Sequence, residues 1–124
     1  MILGTGIDVI EVERVQKAAA KEAFLRRVFT ESERAFFARM NGDPQAIAGT
    51  FAAKEAVSKA LGTGLAQGVE FKDIEISRQN GGAPAVNLTG GAAARLKEMG
   101  GGRVHISISH IKAIAVAQAV IEDG

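Results

Sequence analysis

One domain that combines helices and strands is what this sequence predicts, and three observations predict it. Apolar residues alternate with polar or small ones towards both ends, from Ile2 to Val9 and from Arg103 to Ile121. Between them, from Glu11 to Gly62, the apolar period lengthens to that of an amphipathic helix. The chain has 124 residues, 47% of them hydrophobic, enough for one ordinary core and too few for two independent domains.

The elements follow in order. Ile2 to Val9 reads as a short β-branched strand in which Gly4 and Gly6 permit close backbone approach and Asp8 falls near the end. Glu11 to Val28 predicts one helix, apolar at Val12, Val15, Ala19, Phe24 and Leu25, with a basic face that includes Arg14, Arg26 and Arg27. Thr30-Glu31-Ser32-Glu33 has the form of a capping box and opens a helix to about Met40. Asp43-Pro44, a cap followed by a first-turn proline, starts another that Ile47, Phe51, Val57 and Leu61 carry to Gly62. Val69 to Ile76 shifts towards a period of two, and Asn80-Gly81-Gly82 is a turn signal before Pro84 to Leu88, so a hairpin is expected. Thr89 caps a helix to Met99, stopped by Gly100-Gly101-Gly102. In Arg103 to His110, Val104, Ile106 and Ile108 share one face and His105, Ser107 and Ser109 the other. Ala113 to Ile121 is alanine-rich, yet Ile114, Val116 and Val120 alternate with alanines, which predicts a strand in a crowded layer.

Composition removes several function classes. Net charge is +1, from 15 basic and 14 acidic side chains, so no overall field selects nucleic acid or an anionic membrane. Six Phe with neither Trp nor Tyr leave few stacking platforms for single strands. The absence of cysteine excludes disulfides, thiolate metal sites and cysteine nucleophiles, and fits a cytoplasmic protein. No apolar run is long enough to span a bilayer, and the N-terminal residues lack a signal-peptide pattern.

Chemistry concentrates in Phe51-Ala52-Ala53-Lys54-Glu55-Ala56-Val57-Ser58-Lys59-Ala60-Leu61-Gly62. Glu55 and Lys59, four apart on a helix, lie over one another with Ser58 beside them, so an acid for a cation and a base for a phosphate project the same way. The plainer alternative is a solvated pair worth roughly 0.2–0.5 kcal/mol. Asp8 and His110 sit at strand ends, where sites are built, although Asp8 also suits a turn and His110 a bonded interior histidine. Two carboxylates without cysteine favour a hard cation such as Mg²⁺, which completes its shell with water and substrate phosphate. Ser109 beside His110 is no hydrolase pair, because adjacent strand residues face opposite ways.

Gly6-Ile7-Asp8 with Glu11-Val12-Glu13-Arg14, the run from Phe51 to Gly62, Phe71-Lys72-Asp73-Ile74-Glu75 and Ser107-Ile108-Ser109-His110 together resemble the bacterial holo-acyl-carrier-protein synthases, in order and spacing from end to end. These are small single-domain 4′-phosphopantetheinyl transferases. The resemblance implies an α+β fold, an antiparallel sheet packed against helices, in a homotrimer that closes a shared core and places sites at subunit boundaries. It implies Mg²⁺ held by Asp8 and Glu55 and by the pyrophosphate of coenzyme A, with Lys59 stabilising phosphate charge. Attack by a serine hydroxyl of apo acyl carrier protein would release adenosine 3′,5′-bisphosphate, with a metal-linked water or Glu55 as proton acceptor. Ser58, Lys59, Gly62 and His110 match coenzyme-binding positions, His110 near the nucleotide end. Acyl carrier proteins are acidic, so Arg14, Arg26 and Arg27 would dock that partner, with Phe51 as an apolar neighbour. Thr50 departs from the pattern where many relatives have arginine, and Ile111 where a polar residue is usual. The carrier would come from fatty acid synthesis. Polyketide or peptide-synthetase carriers are the second reading, and a basic binding module without chemistry is the third.

Overall fold

Small residues decide how the layers meet. In the computed structural model, which describes residues 1–78 and 82–124, a three-stranded antiparallel sheet is packed on one long helix. Its strands are β1 (Ile2–Glu11), β4 (Gly101–His110) and β5 (Ile114–Asp123), in the order β1-β5-β4. The helix, α4 (Pro44–Ala60), lays Ala52, Ala56 and Ala60 against Ala117 and Ala119 of β5, all buried. Opposite them on β1 stand Gly4 and Gly6, where a Cβ would fall on the carbonyl oxygens of Ala60 and Ala56. The expected close approach is therefore that of strand to helix, and any side chain there would hold β1 off α4. Larger residues seal the margins: Leu61, Ile74 and Ile121 are fully buried, each contributing about 1.5–3 kcal/mol.

The expected helix from Glu11 to Val28 is two, α1 (Val12–Ala19) and α2 (Glu22–Val28). A continuous helix from Val12, Val15 and Ala19 would next present Glu22 and Arg26 inward; the break lets Phe24, Leu25 and Val28 pack into the second core with Val12, Val15, Phe29 and Phe37. α3 (Glu31–Arg39) begins with both bonds of the Thr30–Glu33 capping box, and Asp43 caps α4 through the amide of Gln45 at 3.0 Å. The strand expected from Val69 is shorter: Phe71–Asp73 is a 3-10 turn, closed by Asp73 accepting from the amide of Glu70 at 3.0 Å. β2 (Ile74–Arg78) then pairs antiparallel with β3 (Pro84–Leu88), as the hairpin reading expects. The Asn80-Gly81 part of its turn signal lies outside the described residues. α5 (Gly90–Glu98) starts after Thr89 without a side-chain cap, and Gly100, at φ +79°, ends it.

β5 is a strand, as its alternation suggests: Ala115, Ala117, Ala119 and Ile121 face α4, while Ile114, Val116 and Val120 turn to the outer face. Register places Val9 and Ser109 beside Val116, and Thr5 and His105 beside Val120.

Candidate active site

The site forms where β1 runs over α4. Asp8 pairs with Ala117 and so points its side chain, 12% exposed, to the helix face of the sheet. One helical turn separates Glu55 from Lys59, and both reach towards it. The Lys59 ammonium donates to Asp8 Oδ1 and to the Ile7 carbonyl, each at 3.0 Å, so the lysine joins helix to strand instead of forming the i,i+4 pair with Glu55. Asp8 Oδ2 is buried and lacks a hydrogen-bond partner among the described residues. Burial and then the Asp8 carboxylate push the Glu55 carboxyl above its usual range, with Lys59 opposing. A bare buried oxygen beside a repelled carboxylate is a pair short of positive charge.

Asp8 and Glu55 open on a cleft of about 470 Å³ that Arg14, Phe24 and Phe51 also line. Phe51 lies between Phe71, stacked at 5.5 Å, and Phe24 at 6.0 Å, giving the cleft an apolar wall beside its acids. Among the described residues no third histidine or acid completes a metal cluster. Two carboxylate donors and an open remainder fit a hard cation that takes its other ligands from water and substrate, as Mg²⁺ does.

The other sequence candidates scatter around this centre. Ser58 is buried and its hydroxyl donates to the Glu55 carbonyl at 2.7 Å, within the helix. Gly62, at φ +79°, follows α4 in a left-handed conformation that favours glycine. His110 is exposed at the end of β4, two strands from β1 and so about 10 Å across the sheet. It does not enter the cleft of its own chain. Arg14 borders the cleft from α1, Arg26 is held by Glu22 at 2.9 Å, and Arg27 lines a separate hollow with Leu65 and Lys72. Thr50 is buried, its hydroxyl donating to the Ala46 carbonyl at 3.0 Å.

Lys54 escaped the sequence reading. Fully buried, its ammonium meets Glu33 at 2.7 Å and donates to the carbonyls of Phe71 at 2.9 Å and Ile74 at 2.6 Å. Glu33 in turn accepts from the amides of Thr30 at 2.8 Å and Ile76 at 2.7 Å. Burial pushes Glu33 up and Lys54 down, and each holds the other charged. This network ties α3, α4 and β2 together directly behind Glu55. The available signal was position: Lys54 falls on the apolar stripe of Ile47, Val57 and Leu61.

An antiparallel sheet laid on one helix, with two carboxylates and a lysine where they cross, makes this an α+β protein with a charged cleft. The sequence profile of the 4′-phosphopantetheinyl transferase superfamily matches residues 4–117, and the chain belongs to that family. Within it, the chain is similar to a holo-[acyl-carrier-protein] synthase of Clostridium perfringens, 49% identical over 98% of this chain and 95% of the other. The crystal structure of holo-[acyl-carrier-protein] synthase from Neisseria meningitidis superposes with a TM-score of 0.89 at 32% identity, covering 99% and 100% of the two chains. That from Bacillus anthracis, in complex with CoA (3′,5′-ADP), gives 0.84 at 40% identity over 100% and 99%.

Proposed function

We infer that this chain transfers 4′-phosphopantetheine from coenzyme A to a serine hydroxyl of an apo acyl carrier protein, releasing adenosine 3′,5′-bisphosphate, and that it serves fatty acid synthesis in the cytoplasm. The observation that carries the reading is Asp8 Oδ2, buried and bare beside the raised carboxyl of Glu55. Those two residues would hold Mg²⁺, whose charge would offset that of the diphosphate. Lys59, fixed by Ile7 and Asp8, presents a point cation to the phosphoryl group that is transferred. Phe24 and Phe51 keep one side of the cleft dry, and Arg14 at its rim draws an acidic carrier towards it. Arg26, Arg27 and Phe51 extend that docking surface along α2 and α4, while Ser58, Gly62 and His110 belong to the coenzyme's binding path.

The outer face of the sheet supports self-association. Ile7 and Val9 are each 60% exposed there, beside Val116 and Val120, an apolar patch that a second copy would cover. In the homotrimer we propose, one chain supplies Asp8 and Glu55 to a site and its neighbour supplies His110.

Mass spectrometry of apo carrier protein incubated with coenzyme A, Mg²⁺ and this enzyme tests the reading. One added phosphopantetheine per carrier is expected; no gain on carriers from fatty acid, polyketide and peptide synthesis alike would sink it.

A further inference from the structure

Arg78 ends β2 on the strand face that carries Ile74 and Ile76 into the core, so its side chain is turned towards α4. Its Nη2 lies 4.0 Å from the place a Cβ on Gly49 would occupy, and its Cζ stands 5.6 Å from the Phe36 ring centroid. Arg39 approaches the same ring from α3, at 5.8 Å. Among the described residues no carboxylate forms an ion pair with Arg78. Arg95 shows the contrast: also half-buried, it is bonded to Glu98 and to the Leu61 carbonyl, both at 2.8 Å. Burial alone depresses the Arg78 pKa, with no anion to restore it. A guanidinium partly withdrawn from water, set over an aromatic ring and without a hydrogen-bond partner among the described residues is arranged for a multiply charged oxyanion such as a phosphate.

Its surroundings indicate which anion. Gly49 also faces Ile108 of β4, two residues before His110, and Gln45 at the start of α4 donates to the Ile111 carbonyl at 3.3 Å. Arg78, the N-terminal turns of α4 and the His110 end of β4 thus meet at one corner. Coenzyme A carries two kinds of phosphate, the diphosphate that reacts and a 3′-phosphomonoester on its ribose. Gly49 and Glu55 are six residues apart on α4, about 9 Å along the axis and about 120° around it. The corner and the metal cleft of one chain therefore open on different sides of the helix, as a donor lying between two subunits requires.

We propose that Arg78, set over Phe36, binds the 3′-phosphate of coenzyme A and makes the enzyme selective for the phosphorylated donor. The proposal rests on the transferase reading above. Steady-state transfer with coenzyme A and with 3′-dephospho-coenzyme A, by wild type, Arg78→Ala and Arg78→Lys, tests it. Wild type is expected to show a KM for coenzyme A about tenfold below that for the dephospho donor. Arg78→Ala should raise the first about tenfold, leave the second unchanged and keep kcat within about twofold; Arg78→Lys should fall between. A variant that shifts both donors equally, or neither, overturns the assignment, and a general loss of folding cannot imitate a change confined to one donor. Absence of transfer by wild type from either donor would overturn the transferase reading itself.

Discussion

Glu55 is kept in an environment that does not suit it. Burial and Asp8 raise its carboxyl pKa, so the folded chain holds that proton to higher pH than the unfolded chain does. Ionisation therefore costs stability above the ordinary carboxylate range, and the cost grows as pH rises through the folded value. Glu55→Gln removes it. In the metal-free protein the variant should melt about 2 °C above wild type at pH 7.5, a small gain because the side chain is only half-buried and screened, and the gain should vanish near pH 4. Differential scanning calorimetry at the two pH values reads this, and a variant less stable than wild type at both would contradict the repulsion. Mg²⁺ should raise the melting temperature of wild type and not of the variant. Carrier modification should fall about a hundredfold or more, since a metal supplies several kcal/mol of charge stabilisation. The residue types of this centre were legible in the chain because spacing on one helix fixes a shared face. The partner of Lys59 was not, because it belongs to a strand 51 residues away.

At the scale of elements, α4 is held in register by the Lys54–Glu33 network as much as by its alanines. Lys54→Met would leave Glu33 buried without its cation, and guanidinium unfolding at pH 7 should show a loss of about 3–5 kcal/mol. In the variant the Glu33 pKa lies further above its unfolded value, so the penalty is largest above the carboxylate range and shrinks as pH falls towards 5. A loss under about 1 kcal/mol at pH 7 would mean that the network contributes specificity alone. Local chemistry made most elements readable: a capping box, a proline behind an aspartate and glycine stops are short-range devices, and they fell where expected. The helix break after Ala19 carries no glycine or proline. It shows only as a slip in apolar phase between Ala19 and Phe24, which acquires meaning once a second core exists for Phe24 and Val28 to enter. The Phe71–Asp73 turn escaped for a similar reason, since alternation over Val69 to Ile76 is equally produced by a turn whose carbonyl at Phe71 is held by Lys54.

At the scale of the whole molecule, the residues proposed for the site fall into two groups. Asp8 and Glu55 open on one side of the chain with Lys59 bonded to Asp8, whereas His110 stands exposed across β5 from them, and the apolar outer face with Ile7 and Val9 lies uncovered. Assembly through that face would bring unlike groups together, and it would also explain apolar side chains where a single copy gains nothing from them. Two measurements follow. Val9→Glu should convert the protein to monomers by sedimentation equilibrium; because Val9 also borders the cleft beside Asp8, the oligomeric state and not the loss of transfer tests the face. Asp8→Ala and His110→Ala, each impaired alone, should complement one another when co-expressed. In randomly mixed rings about a quarter of boundaries would join a wild-type Asp8 to a wild-type His110, so activity should recover towards about one quarter of the wild-type value. If both residues served one site within a single chain, mixing would place no intact pair anywhere, and the co-expressed sample would show only the average of the two variants.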